Sequence, residues 1–207
     1  MLGHVSSSGN KILTTLPDSI CNLVSLQELN LEKLKALQAL PESIGNLVNL
    51  VELEMRECKQ VSALPASIGE CTTLRVVGLS KCIGLTQLPD SIGNLRALED
   101  LILAKCKGIR ELPVAIGQCR ALARLDLRNC KKLTALPPSM GQLTALRSLD
   151  LSVCKSLTSI PDALGDLPHL EELDISNCIS LGFLPESMEK FKTFVVGWEF
   201  VKRKEAF

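Results

Sequence analysis

Eight prolines, Pro17, Pro41, Pro65, Pro89, Pro113, Pro137, Pro161 and Pro185, stand 24 residues apart, and each follows a leucine or an isoleucine. A fixed period of about 20 to 50 residues marks a solenoid, in which each unit buries its apolar face only against its neighbours. The chain is one structural unit used about eight times. Its length of 207 residues, 46% apolar, is enough for one continuous core drawn out along the stack.

The rest of each period is as regular as the proline. Ile20, Leu23, Leu26, Leu29, Leu31, Leu34 and Leu37 open columns that refill in the following units, and Leu50, Leu74, Leu98, Leu122, Leu146 and Leu170 continue the Leu26 column without exception. The Leu29 and Leu31 columns accept only Leu, Val, Met or Ile. Apolar residues two apart have the period of a strand with one buried face, so seven strands are expected to stack in parallel, about 4.8 Å apart. The other half of each unit opens with Leu-Pro-x-Ser-Ile-Gly, as at Leu40, Pro41, Ser43, Ile44 and Gly45. Proline presets φ and needs no donor, which suits the first turn of a short helical or 3-10 segment, with glycine expected to release the chain. The return segment is wider than the strand, so the stack should curve.

Cys58, Cys82, Cys106, Cys130, Cys154 and Cys178 each fall three residues after a strand's second apolar residue, where the first unit has Leu34. The pattern is Leu-x-x-Leu-x-Leu-x-x-Cys, the core of a leucine-rich repeat. The predicted fold is therefore an α/β leucine-rich repeat solenoid, a curved, right-handed coil with a parallel sheet on its concave face and short helical or 3-10 turns on its convex side. The ladder position needs a small residue that faces inward where the backbone turns, and a thiol is a weak donor that tolerates burial. Cys71 and Cys119 replace leucine in the Leu23 column, and Cys21 takes the Gly45 column. No Cys-x-x-Cys pair offers zinc ligands, and parallel side chains in a packed core disfavour disulfides. Nine reduced, buried thiols point to a reducing compartment, cytoplasm or nucleus. The absence of an apolar signal segment, of a long apolar span and of an Asn-x-Ser/Thr acceptor leads to the same expectation.

The two ends depart from the repeat. Counting back by one period puts Leu2, Val5, Ser7, Asn10 and Leu13 in the strand, ladder and following columns, so residues 1–15 read as a degenerate partial repeat. Either Met1 opens a chain with a weak cap, or the solenoid continues upstream in a longer protein. The repeat array proper runs over 16–187. Beyond Pro185, Gly197 and Glu199 fall where two buried apolar residues belong, so the repeat is expected to stop. Phe183, Phe191, Phe194, Phe200, Phe207 and the single Trp198 gather near this end, and 188–207 reads as an aromatic carboxy-terminal cap over the last coil. A docking surface for another domain is the other reading, and Lys202, Arg203 and Lys204 read as a solvated tail.

Function should lie in the residues between the buried ones. One outward column reads Glu28, Glu52, Val76, Asp100, Arg124, Ser148 and Glu172; the other reads Asn30, Glu54, Gly78, Ile102, Asp126, Asp150 and Asp174. Together they carry eight acids and one base. Arg56 and Arg128 follow just beyond the strands, Lys33, Lys81 and Lys105 share the next column, and Lys35, Lys59, Lys107, Lys131 and Lys155 follow the ladder. Stacked like charges repel weakly, so an acidic stripe is either a surface for a basic partner or one neutralised by its basic edge. Val76, Gly78, Ile102 and Ala104 interrupt it with a small apolar patch, the anatomy of a modest protein interface. The protein-binding candidates are Glu28, Glu52, Glu54, Arg56, Val76, Asp100, Ile102, Arg124, Asp126, Arg128, Asp150, Glu172 and Asp174.

Catalysis finds little support, because His4 and His169 are the only histidines and lie toward opposite ends of the stack. No phosphate-cradling loop or metal cluster is spelled out, so no cofactor is expected. Lys plus Arg equals Asp plus Glu at 23 each, and tyrosine is absent, which argues against nucleic acid and acidic membranes as partners.

The unit from Leu88 to Ile109, Leu-Pro-x-Ser-Ile-Gly-x-Leu-x-x-Leu-x-x-Leu-x-Leu-x-x-Cys-x-x-Ile, resembles the leucine-rich repeats of plant intracellular nucleotide-binding immune, or disease resistance, receptors. The resemblance covers about 16–187. Extracellular plant receptor kinases favour Ile-Pro and a ladder asparagine, and Ras-group repeats usually have a slightly shorter unit and asparagine. What the resemblance implies is recognition of a pathogen effector or a guarded host protein, with the repeats holding a nucleotide-binding switch off. The switch itself is missing, since no Gly-x-x-x-x-Gly-Lys-Ser/Thr loop occurs. The expected role is a non-catalytic protein-recognition module of plant-type immune or signalling kind, partnered on its concave face and, in a longer protein, by further repeats or a nucleotide-binding domain. The alternatives are a Ras-group-like signalling scaffold and a structural spacer.

Overall fold

The computed structural model describes residues 3–191, 195–196 and 202–203. Eight strands of three residues, β1 (His4–Ser6), β2 (Glu28–Asn30), β3 (Glu52–Glu54), β4 (Val76–Gly78), β5 (Asp100–Ile102), β6 (Arg124–Asp126), β7 (Ser148–Asp150) and β8 (Glu172–Asp174), lie side by side in sequence order. All are parallel, and from His4↔Glu28 to Asp150↔Asp174 each residue faces its counterpart one full period on. The sheet is open, and its layer of outer turns is entirely 3-10 among the described residues.

The repeat does not end where a strict count of the period ends it. β9 (Phe183–Leu184) is followed by β10 (Val195–Val196), which joins β8 as a ninth strand with Val195 opposite Leu173. A full period would set Gly197 against Leu173. The last unit is shorter by two positions, and Val195 takes that place instead. β11 (Lys202–Arg203) pairs with β9 to form a separate two-stranded sheet. Of the aromatic cap, Phe191 is buried with Met188 on the turn Glu186–Phe191, and Phe183 stays exposed. Leu2, Phe194, Trp198, Phe200, Phe207, Gly197, Glu199 and Lys204 lie outside the described residues, as do the side chains of Lys202 and Arg203.

The core is one continuous apolar cluster from Cys21 to Phe191, in which nearly every leucine column is sealed from solvent. The exception is the amino-terminal coil, where Val5, Leu13, Leu16, Ile20 and Leu23 are only partly buried. Burial of a full leucine or isoleucine stabilises by about 1.5–3 kcal/mol, so the stack is held by repetition rather than by any one contact.

Each outer turn begins just after its proline. At Pro65, Pro89 and Pro113 the backbone is extended, with φ −65°, −70° and −64°, and the proline oxygen accepts the amide of Ile68, Ile92 or Ile116. Glycine does something other than release the chain. The only positive glycine φ among the described residues is at Gly9, away from this column. A Cβ on Gly93 would stand 2.5 Å from the Ala115 oxygen, and one on Gly69 2.4 Å from the Ser91 oxygen. From Gly45 to Gly165 the column is glycine because successive outer turns pass too close for a side chain, whereas the amino-terminal turn admits one, Cys21.

The ladder thiols carry the predicted inward role and join neighbouring coils. Cys58, Cys82, Cys106, Cys130, Cys154 and Cys178 each donate Sγ–H to a main-chain oxygen of the preceding coil, at 3.0–3.2 Å. Cys71 and Cys119 do the same toward Ile44 and Ile92, which gives their departure from leucine a physical reason. At the amino-terminal ladder position Asn10 serves through its oxygen, which accepts the amides of Ile12 and Leu13. All nine thiols are buried and free of disulfides.

Just before the ladder the backbone turns left-handed. Lys33, Glu57, Lys81, Lys105, Asn129, Val153 and Asn177 all have φ between 59° and 66°. From Lys33 to Val153 each of these amides donates to the next coil, as from Lys81 to the Ala104 oxygen at 2.7 Å. The conformation costs about 1–2 kcal/mol for an ordinary L-residue, and the hydrogen bond across the coils holds it in place.

Candidate functional site

The register brings both outward columns onto one sheet face. Glu28, Glu52, Val76, Asp100, Arg124, Ser148 and Glu172 are adjacent in order, and so are Asn30, Glu54, Gly78, Ile102, Asp126, Asp150 and Asp174. Eleven of the thirteen predicted residues therefore share this face, with Arg56 and Arg128 just beyond the strands, although Glu28 lies six strands from Glu172.

The acids differ in what they do. Asp126, Asp150 and Asp174 each turn one carboxylate oxygen to the amide two positions on, those of Arg128, Ser152 and Ser176, at 2.8–3.0 Å. Asn30 does so for Glu32 at 3.0 Å. These are Asx turns, which stop the strand by giving its next amide a local partner. Four of the seven positions in the column are thus structural, a role the sequence reading missed. The signal was chain length: short Asn and Asp recur in this column, whereas Glu28, Glu52 and Glu172 in the other are long.

At the carboxy-terminal side Arg124, Asp126, Arg128, Ser148, Asp150, Glu172 and Asp174 line a depression of about 430 Å³. Arg128 reaches Asp126 at 3.4 Å and Asp150 at 3.8 Å, and the Ser148 hydroxyl donates to Glu172 at 2.9 Å. Burial pushes the Asp126 carboxyl above its usual range, against the opposing pull of the Arg128 amide and guanidinium. This end of the face presents both signs of charge.

The middle of the face is built differently. Glu54 is one methylene too long for the Asx turn, and its carboxyl lies over Gly78, where a Cβ would stand 2.0 Å from Oε2. Burial raises its pKa first, and repulsion from Glu52 and then Glu32 adds to this, with Arg56 opposing. Val76 and Ile102 are half-buried beside it, and Ala104 is buried.

The basic edge is partly engaged within itself: Lys81 donates to Glu57, its own column neighbour, at 2.7 Å. Outside the predicted set, Arg75 binds Glu99, and Arg147 binds the Glu171 carboxylate in the same column. His4 contacts Glu28 at 2.9 Å. Burial pushes the Cys58, Cys71, Cys119 and Cys178 thiols up to about 11 and those of Cys106 and Cys154 to about 12. A thiol so far from ionisation is a poor nucleophile and a poor metal ligand. Among the described residues no cluster of His, Cys, Asp and Glu could hold a metal ion, and no helix is long and apolar enough to cross a membrane.

An open parallel sheet backed by 3-10 turns and tied by a thiol ladder defines a repeat solenoid. The model of the leucine-rich repeat region matches residues 65–195, more than half of the chain, and the chain belongs to the leucine-rich repeat family. Domains of this family typically serve as modules for protein–protein interaction. In structure the chain is similar to the leucine-rich repeat domain of the type III effector XCV3220 (XopL), with a TM-score of 0.74 and 25% identity over 94% of this chain and 75% of that one. It is also similar in fold to a TDR receptor, with a TM-score of 0.59 and 21% identity over 86% of this chain and 33% of the receptor. Among curated proteins none matches the sequence.

Proposed function

We propose that this chain is a non-catalytic recognition module of a plant-type intracellular immune or signalling protein, and that it holds a protein partner on the concave face of its sheet. The observation that carries the reading is the register. Fourteen outward side-chain positions from seven consecutive strands are aligned on one broad face, with charged groups at both sides of an apolar centre. Such a face suits an extended protein surface better than a small molecule.

A reducing location, cytoplasm or nucleus, is favoured by nine free thiols in the core. The plant assignment rests on the repeat signature, Leu-Pro-x-Ser-Ile-Gly followed by a ladder cysteine. The spacer reading has one observation in its favour: Asn30, Asp126, Asp150 and Asp174 are engaged in their own turns.

The test must therefore avoid the capping acids. Glu52→Lys, Asp100→Lys and Glu172→Lys together reverse charge in the outer column without touching an Asx turn. Affinity capture from plant cell extract is compared for the native chain, this triple variant, and a control with Lys107→Glu, Lys131→Glu and Lys155→Glu. A partner held by the native chain and the control and lost by the triple variant is the expected result. Equal capture by all three moves the site off the sheet face, and no specific capture leaves the spacer reading.

A further inference from the structure

Along the column of Asn30 from β2 onward, the rule that a short Asn or Asp caps the following turn is kept in β2, β6, β7 and β8 and broken in three consecutive strands, β3 to β5. There the column reads Glu54, Gly78, Ile102. Departures from a local rule that cluster in space mark the places where a chain gives up stability for another purpose. We infer that this spot, Glu54 over Gly78 with Val76, Ile102 and Ala104 beside it, is the centre of the partner-binding surface. Its occupant is a protein segment presenting a lysine or arginine next to an apolar side chain. The inference rests on the sheet-face reading and narrows it.

Three observations carry it. The Glu54 carboxyl makes no hydrogen bond or ion pair among the described residues, although it is half-buried and faces Glu52 and Glu32. Arg56, the one cation that bears on it, is exposed and does not approach within ion-pair distance. A carboxylate placed so is short of a cation, and a partner's ammonium or guanidinium supplies one.

Gly78 adds the second observation. Every other member of its column carries a side chain, and its backbone is not left-handed, so torsion does not demand glycine. What the missing side chain does is make room for the Glu54 carboxyl, which a Cβ would meet at 2.0 Å. The third is the floor next to it. Val76 and Ile102 are outward-facing yet apolar, in columns otherwise mostly polar, and Ala104 closes the strand end between them and the ladder. The carboxyl and this floor lie one to two strand spacings apart, about 5–10 Å, within reach of neighbouring residues of a single segment. Charge at one end and apolar contact at the other fix the orientation of such a segment.

The experiment selects displayed random short peptides against the full chain and measures the synthesised binders against the native protein and three variants. Glu54→Gln removes the charge at constant size, Ile102→Ser removes the apolar floor, and Glu172→Lys alters the far end of the same face. Circular dichroism and thermal melting check that each is folded. The expected binders pair Lys or Arg with an apolar residue, weaken about tenfold with Glu54→Gln and with Ile102→Ser, and weaken less with Glu172→Lys, at the edge of the same surface. Binders that respond to Glu172→Lys alone would overturn this inference and leave the sheet-face reading standing. Binders indifferent to all three, or the recovery of none, would overturn both.

Discussion

The Cys106 thiol donates to the main-chain oxygen of Leu79 at 3.0 Å, and that same oxygen accepts the amide of Cys82 from its own coil. One carbonyl thus ties a turn to itself and to the next coil. Cys106→Ala removes the second bond and leaves a small cavity, at an expected cost of about 1–3 kcal/mol. Cys106→Ser keeps a donor and should lose less. Denaturant unfolding of the three proteins measures the difference, and equal losses would show that volume alone matters at the ladder.

Gly93→Ala forces a Cβ to within 2.5 Å of the Ala115 oxygen, which is main chain and cannot swing aside. The expected loss is about 1–3 kcal/mol. Gly182→Ala, with nothing within 4 Å of its Cβ, should be neutral within about 0.5 kcal/mol. Thermal unfolding of the pair checks the close approach of the outer turns.

Val153 stands at φ 63°, a conformation that β-branched residues avoid. Its column otherwise holds Gly, Lys, Glu and Asn. Val153→Asn keeps the amide that bonds the Ser176 oxygen and should raise stability by about 1 kcal/mol. The reverse change, Asn129→Val, should lower it by a similar amount. Unfolding midpoints report both.

Asp150 accepts both the Ser152 amide, at 2.8 Å, and the Ser152 hydroxyl, at 2.6 Å. Asp150→Ala should cost about 0.5–2 kcal/mol, as the loss of a side-chain cap does at a helix start. Asp100→Ala, in the column without such bonds, should stay within about 0.5 kcal/mol. The contrast, read by denaturant titration, separates turn-forming acids from those free to meet a partner.

The carboxyl of Glu54 has its pKa raised in the folded state, so in the window between its ordinary value and the raised one the folded chain binds more protons than the unfolded chain. Stability from this group therefore falls as pH rises through that window. Glu54→Gln should be more stable than the native chain near pH 7, and the gap should close on acidification below the ordinary carboxylate range. A pH series of unfolding curves tests this, and a gap that widens in acid would contradict the burial of this carboxyl.

Much of this was legible in the sequence because a solenoid reports each position many times over. Leu26 and its successors define a buried column without reference to distant contacts, and Cys58 to Cys178 repeat one thiol six times. The parallel register and the single sheet face follow from counting. What escaped counting was local geometry. The left-handed turn at Lys33 or Glu57 leaves no mark in residue type, because lysine and glutamate do not favour it and only the bond to the next coil imposes it. The glycine at Gly93 reads like a helix end, yet its reason lies in the next coil, at Ala115. The acids of the stripe read as alike, and only side-chain reach divides Asp126 from Glu54. The ninth strand was lost because a fixed ruler was laid over a last unit that is two positions short.

That ruler also bears on how such a chain can change its length. Since each residue meets its counterpart one period on, a duplicated stretch of exact period length rebuilds every ladder, turn and glycine contact regardless of where the copied stretch begins. A gene segment need not respect any boundary to be inherited as a working coil. A single-residue slip in mid-array enjoys no such freedom, because it turns a strand's leucines outward. Loss of two positions keeps the alternation, and among the described strands it is before β10, at the edge of the sheet, that the chain carries such a loss.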